Sequence, residues 1–372
     1  MVYIVGLVLI FLFKFCCSHM DPSISKNKNF SSAVYVFASF TMLFLISIFR
    51  DYGVGIDTQH YANKFLLIRK YSLGKILTSL YTERVEVGYA LLNKLVGIFF
   101  TNPRAILVAN SAVICYGMAH YVYRYAKTKH VAVILFICCG AFLHSLNITR
   151  QMMSCVMMIN SWGELTHKRY RNSAIWFLVG ISFHITSVVF AVVYFFYYFR
   201  ENKKLVLIAF GASLILAMFY RPILALLAKF ISAFSYLDNS SDKVSAGGIW
   251  LVWIIEVLIA GYFITSYAMG DKSKYLIDSK EHWFPTEEMI CVPIFVVYYI
   301  VFTFLGTHFN YLDRFGVYFM LFLIPLFSNF GKVIGKKLPK YRMIYWIGLQ
   351  LSFIGYFLLS TRATQYHYAF GW

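Results

Sequence analysis

Charge is what this sequence has least of. Only 13% of its 372 residues are Asp, Glu, Lys or Arg, and 60% are apolar, whereas a soluble domain carries roughly 25% charged residues. A soluble core of this length could not hide so much apolar surface, so lipid must be the solvent for most of the chain. Hydrophilic stretches long enough for a separate globular module are also missing, which leaves one membrane domain over residues 1–372. Acidic groups are scarcer than basic ones, 16 against 34. The positive excess does not read as a nucleic-acid surface, because it falls in short clusters between apolar runs, as cytoplasmic loops do. The seven cysteines show neither CxxC nor Cys/His spacing, which supports neither a disulfide framework nor a zinc site. The start of the chain has no basic n-region and no A-x-A-like cleavage site, so 2–17 is expected to be a retained helix.

What is present is a series of apolar segments, at about 2–18, 30–49, 104–123, 131–146, 149–163, 173–184, 185–199, 205–220, 249–269, 287–305, 315–330 and 343–361. Helices of this length cross, or nearly cross, a hydrocarbon core of about 30 Å. The expected fold is an all-α polytopic membrane protein of about twelve spans. The stretch 173–199 is too short for two ideal spans, and reads as one tilted helix or two short ones. With the first residues outside and that stretch counted twice, six short loops become cytoplasmic. They hold Lys26 and Lys28; Arg124, Lys127 and Lys129; Lys168, Arg169 and Arg171; Arg200, Lys203 and Lys204; Lys272, Lys274 and Lys280; and Lys332, Lys336, Lys337, Lys340 and Arg342. These are 19 of the 34 basic residues, an arrangement that satisfies the positive-inside rule. Two longer outer segments follow, about 50–103 and 221–248, both with apolar stretches suited to helices lying at the interface.

Four regions carry chemistry. The first outer segment opens Arg50-Asp51-Tyr52-Gly53-Val54-Gly55-Ile56-Asp57-Thr58-Gln59-His60-Tyr61, where two glycines would let backbone approach a ligand and Arg50 and Asp57 supply opposite charges. The bland reading is a solvated loop with an Arg–Asp pair. Next, Asn147-Ile148-Thr149-Arg150-Gln151 lies between apolar runs, where a cation is costly unless paired, functional or snorkelling. His184 stands inside an apolar stretch, and reads equally as a satisfied core histidine. Finally, Thr307-His308-Phe309-Asn310-Tyr311-Leu312-Asp313-Arg314 precedes Tyr318. His308 and Asp313 form an H-x4-D pair of the acyltransferase kind, a two-residue match that chance produces readily. Glu256 is a carboxylate in mid-span without a visible sequence partner, a candidate ion pair or proton site.

Arg50, Asp57, Arg150, His308, Arg314 and His184 all fall on the predicted outer side. Guanidinium groups fork two hydrogen bonds to phosphate oxygens, and their gathering at headgroup level suits a lipid-linked pyrophosphate. A nearby carboxylate or imidazole could deprotonate a sugar hydroxyl. Neither a DxD-like pair nor a Gly-rich phosphate loop is present, which argues against a nucleotide-sugar enzyme.

The set Arg50…Gly55-Ile56-Asp57-Thr58…Tyr61, Thr149-Arg150-Gln151, Phe183-His184-Ile185-Thr186-Ser187 and Asp313-Arg314…Tyr318-Phe319 resembles, in order, the EpsG family of Wzy-type polysaccharide repeat-unit polymerases. Ile56 and Thr186 depart from the family's usual Thr and Ser. The resemblance implies a glycosyltransferase of the bacterial inner membrane, compatible with a GT-C-like architecture. It would make O-antigen, capsule or exopolysaccharide by moving a growing glycan from undecaprenyl pyrophosphate onto the next lipid-linked repeat unit at the periplasmic face. No cofactor is expected, and the lack of a ligand cluster in the sequence, with arginine able to stabilise the leaving pyrophosphate, points to a metal-free reaction; the partners are the lipid-linked oligosaccharides, the bilayer and, as a candidate, a chain-length regulator. Mapped here, Arg50, Arg150 and Arg314 would hold pyrophosphate, and Asp57 or His184 would be the base. Tyr61 and Gln151 would orient substrate, with His308, Asp313 and Tyr318 in supporting binding roles. Analogy with other membrane glycosyltransferases leans the base towards Asp57. A lipid-oligosaccharide flippase and a membrane O-acyltransferase of surface polysaccharide are the alternatives.

Overall fold

A computed structural model describes residues 2–18, 28–79, 83–219, 250–268, 286–306, 312–362 and 366–371. They are helical almost throughout; among them the one non-helical pairing is an isolated bridge between Arg50 and Phe370. This is what a bilayer requires, because only structures that satisfy their backbone groups internally are tolerated in hydrocarbon. Ile223–Phe234, expected to lie at the interface, falls outside the described residues.

The chain divides into two compact units, Met1–Val188 with Phe353–Trp372, and Val189–Ser352. The first begins with α1 (Val2–Ser18) and α2 (Lys28–Ile48), followed by α3 (Thr58–Ile68), α4 (Leu73–Leu77) and α5 (Val87–Phe99) in the long 50–103 connection. Then come α6 (Arg104–Arg124), α7 (Lys129–Cys138), α8 (Ala141–Asn147), α9 (Thr149–Thr166) and α10 (Tyr170–Phe183). The second unit holds α11 (Ala191–Phe199), α12 (Lys203–Met218), α13 (Trp250–Ala268), α14 (Thr286–Gly306), α15 (Leu312–Met320), α16 (Leu323–Lys337) and the start of α17 (Arg342–Ser360).

By length and apolarity alone, four of the described helices can cross a membrane: Phe30–Ile48, Arg104–Arg124, Glu287–Gly306 and Pro339–Ser360. The number rises to six if α7 with α8, bent by 49°, and α15 with α16, bent by 47°, each count as one broken span. Gly140, at φ +96, supplies the left-handed residue at the first of these breaks. The other apolar segments form shorter helices.

Close approach follows small residues, as packing in lipid favours. The Ser154 hydroxyl donates 2.8 Å to Gly180 O, and Ser161 2.9 Å to Ser173 O, joining α9 to α10. In the second unit Gly316 lets α15 pack on α14, where a Cβ would come within 2.8 Å of Thr303 Oγ1 and 3.0 Å of Tyr299 O. Rings of Phe190, Phe295, Tyr298, Phe319 and Phe322 then fill the core, with Phe295 and Phe322 at 4.7 Å. Such ring pairs contribute about 0.5–1.5 kcal/mol each beyond their buried area.

The uncertain stretch 173–199 is two helices separated by a break. His184 is extended (φ −157, ψ 110), its N–H closes α10 on Gly180 O at 3.1 Å, and a 3-10 turn over Ile185–Phe190 precedes α11. Ser187 fixes the break by donating 2.7 Å to the His184 carbonyl. The Phe183-His184-Ile185-Thr186-Ser187 motif is thus a helix stop that leaves an imidazole off the helix.

Candidate active site

Three parts of the first unit converge on Glu86, a residue that sequence reasoning passed over. It stands in extended geometry just before α5 and makes no side-chain cap to that helix. Instead its two oxygens point elsewhere. Oε2 accepts from Arg150 Nη1 at 2.6 Å, and Oε1 lies 2.8 Å from His184 Nδ1 and accepts from the Ile185 N–H at 3.3 Å. Glu86 is only 6% exposed. Burial alone would raise its carboxyl pKa, but the His184 hydrogen bond and the Arg150 charge outweigh it and hold it below the usual carboxylate range.

Local structure explains why these groups meet. α5 can start against the end of α10 because position 88 is glycine; a Cβ there would collide with Ser182 Oγ and lie 2.7 Å from the Ser182 carbonyl. Upstream, Glu83 binds Lys64 Nζ at 2.8 Å and accepts from the Tyr71 hydroxyl. This ties α3 and the start of α4 to the residues that lead into Glu86. Arg150, the second residue of α9, also donates 3.2 Å to Arg84 O and lies with its guanidinium 5.8 Å from the Tyr89 ring centroid. Asn110 anchors the Tyr89 hydroxyl from α6 at 3.0 Å.

The structure brings together Arg150, His184 and Tyr61. Tyr61 is buried edge-on to Tyr89, with ring centroids 5.9 Å apart, and its hydroxyl is within electrostatic reach of Arg150. Asp57 is half-buried ahead of α3, its N–H on Asn147 Oδ1 at 3.2 Å, within electrostatic reach of His60 and Tyr61. Burial, and then the charges of Lys64 and Arg150, push the His60 pKa down. Gln151 is buried beside Arg150.

Arg50 is within electrostatic reach of Tyr61 at the edge of this cluster, but it is enclosed. It is 1% exposed, its Nη1 is held 2.6 Å from Ser47 O, and Nε has no hydrogen-bond partner among the described residues. The segment that ends the chain seals it: Asp51 N–H donates to Ala369 O at 2.8 Å, and Gly371 N–H to Phe49 O at 3.2 Å. Burial lowers its pKa to about 10, so it remains a cation at neutral pH. In this arrangement Arg50 is shut off from solvent, and no ion pair joins it to Asp57 among the described residues. The glycine of the same motif has a structural use too. Gly55, at φ +85, lies so close to the Leu146 carbonyl that a Cβ would collide with it. Thr58 clasps the same contact, donating to Val54 O at 2.6 Å and Leu146 O at 3.1 Å. The backbone approaches protein here, where the sequence suggested a ligand.

Asp313, Arg314 and Tyr318 belong to the second unit, on α15. Arg314 is exposed, Tyr318 is buried, and Asp313 Oδ1 is buried with no hydrogen-bond partner among the described residues. His308, and with it the H-x4-D pair, lies outside the described residues. Glu256 is buried on α13, and neither carboxylate oxygen has a hydrogen-bond partner among the described residues. The ion-pair reading of Glu256 thus finds no partner there. Also among the described residues, no three His, Cys, Asp or Glu side chains gather as a metal site requires.

Glu86 gave one sequence signal. A carboxylate at the edge of an apolar helix, in a chain with only 16 acidic residues, is costly to place near lipid without a partner.

Apolar helices with small-residue contacts, broken at a histidine and carrying a part-buried Arg–Glu–His cluster, define a multi-pass membrane protein. The sequence matches the EpsG family over residues 33–370. With nearly the whole chain matched, the protein belongs to that family, one of Wzy-like polymerases. Among curated proteins and among solved structures no match is found.

Proposed function

We propose that the protein is a polysaccharide polymerase that joins undecaprenyl-pyrophosphate-linked repeat units at the periplasmic face of the bacterial inner membrane, for O-antigen, capsule or exopolysaccharide. The observation that carries this reading is the meeting of Arg150 and His184 on one buried carboxylate. It puts a phosphate-directed cation beside a group able to take a proton. Family membership supplies the reaction class, and the basic loops support twelve spans with this cluster outside.

In the reaction, an acceptor sugar hydroxyl attacks the anomeric carbon that joins the donor glycan to its lipid pyrophosphate. A carbon–oxygen bond forms to the acceptor, and the bond from that carbon to the phosphate oxygen breaks. The electron pair leaves with the pyrophosphate, whose charge Arg150 stabilises through its remaining donors. The hydroxyl proton passes to His184, and from there to water. We favour His184 over Asp57 as base because His184 shares a carboxylate with Arg150, whereas the described contact of Asp57 is a backbone one to Asn147. For Arg314, Asp313 and Tyr318, support for a part in substrate binding is the family resemblance alone.

The test is incubation of the purified protein with lipid-pyrophosphate-linked repeat units, followed by separation of products by size. A ladder of lengthened lipid-linked glycans is expected. Transport of the substrate across vesicles without any ladder would overturn the polymerase reading in favour of a flippase.

A further inference from the structure

A glutamate placed just before a helix ordinarily serves that helix, accepting from its free N–H groups. Glu86 does not: α5 receives no side-chain cap from it. Both of its oxygens are used, and each by a different helix. Oε2 takes the Arg150 guanidinium from α9, and Oε1 takes the imidazole that closes α10. The side chains of Arg150 and His184 are themselves largely shielded, 19% and 18% exposed, so water competes weakly for these bonds.

We infer that Glu86 is a positioning residue, which holds His184 in the tautomer that can accept a proton at Nε2 and, with its second oxygen, sets the direction of the Arg150 fork. The inference rests on the polymerase reading above. An ionised carboxylate can only accept hydrogen bonds, so His184 Nδ1 must carry the proton and Nε2 is left as the acceptor. Meanwhile Arg150 Nη1 takes Glu86 and the Arg84 carbonyl, and Tyr61 also bonds the guanidinium, which leaves its other N–H groups to meet phosphate oxygens. One side chain thereby keeps the proton acceptor and the pyrophosphate-directed cation in register.

Among the described residues, the charged and titratable groups around this dyad are Arg150 from α9, Tyr89 from α5, and His60 and Tyr61 from α3, the last two within reach of Arg150, with Lys64 and Asp57 beside His60. Glu86 is the side chain that bonds the imidazole among the described residues. Its removal should therefore free the ring to turn or change tautomer, with the Arg150 charge left unneutralised beside it.

Single-turnover chain transfer is measured against pH at saturating lipid-pyrophosphate-linked donor, for wild type, Glu86→Gln, Glu86→Asp, His184→Ala and the Glu86→Gln/His184→Ala double variant. The wild-type rate should rise with pH and level off. Glu86→Gln should displace the rising limb and lower the plateau at least tenfold. Glu86→Asp keeps the charge, so its limb should stay at the wild-type pH while the plateau falls, because the shorter side chain cannot serve both partners. The double variant should be no slower than His184→Ala. A Glu86→Gln profile that matches wild type in limb and plateau, or single-variant losses that multiply in the double variant, would overturn the positioning role. If Glu86→Gln does not fold, a limb displaced in Glu86→Asp overturns it instead. Absence of transfer by wild type would remove the polymerase reading itself, and is seen before any variant is compared.

Discussion

Gly88 and Ser182 touch so closely that α5 and α10 have no room for a methyl group between them. That contact is what lets Glu86, 98 residues before His184 in the chain, lie 2.8 Å from it. Gly88→Ala must therefore push the start of α5 off α10. Forcing a methyl into such a contact costs about 1–3 kcal/mol, and the dyad should separate. We expect a lower melting temperature and at least a tenfold loss of chain transfer by protein that still folds; wild-type transfer by Gly88→Ala would show that the contact does not set the dyad.

Arg150→Lys keeps the charge but not the planar fork. If the guanidinium both pairs with Glu86 and meets pyrophosphate, donor affinity should fall tenfold or more, equivalent to about 1.4 kcal/mol. A cation that merely snorkels would tolerate the change. The same substitution at Arg314, on the second unit, tests the family expectation independently. Binding of lipid-pyrophosphate donor, measured for each variant at matched protein level, gives the answer.

Asp57→Asn and His184→Ala separate the two candidate bases. Loss of a general base costs typically 10²- to 10⁴-fold, and we expect that loss at His184. Asp57→Asn keeps the backbone N–H that bonds Asn147 and should retain transfer within about threefold of wild type. A hundredfold loss at Asp57 with donor binding intact would return the proton to Asp57.

The Glu86 tie should also show in acid stability. Its carboxyl pKa is lower in the folded protein than in the unfolded chain, near 4.3. Its stabilisation is thus fully present above that value and is lost as pH falls through the lowered folded value. Melting temperatures of wild type and Glu86→Gln should differ at neutral pH by a constant amount, and should converge only in acid below about pH 4.

Orientation can be checked with single cysteines. Gln59 and Lys336 are both exposed, one in the first long connection and one in the last basic cluster. An impermeant thiol reagent added to intact cells should label Gln59→Cys and leave Lys336→Cys untouched. Labelling at Lys336 alone would reverse the topology and place the Arg150 cluster inside.

The helices were legible in the sequence because lipid imposes a single requirement, long apolar runs with charges at their ends. Segments read near 2–18, 104–123 and 249–269 became helices within about a residue of those bounds. The partnerships were not legible. Arg150 and His184 could be picked out as polar groups stranded in apolar runs, whereas Glu86 gave only the weaker signal of a carboxylate at the edge of an apolar helix. What joins the three is a helix–helix contact at Gly88, and sequence spacing holds no trace of a contact between residues so far apart. The enclosure of Arg50 was not legible either. Its place at a helix exit suggested access to a ligand, whereas residues 366–371 return to cover it.

That return has a consequence for how the protein is made. Tyr366 accepts from the Tyr3 hydroxyl at 3.1 Å, the Tyr368 hydroxyl donates to Ile46 O at 2.9 Å, and Gly371 lies against Arg104 and Arg50. The unit that holds the Glu86 cluster is therefore assembled from residues made before the other unit and residues made after it. It must wait, while residues 189–352 are synthesised, with a buried arginine still uncovered. A nascent chain stalled before residue 366 would present that open edge to the membrane's quality-control proteases.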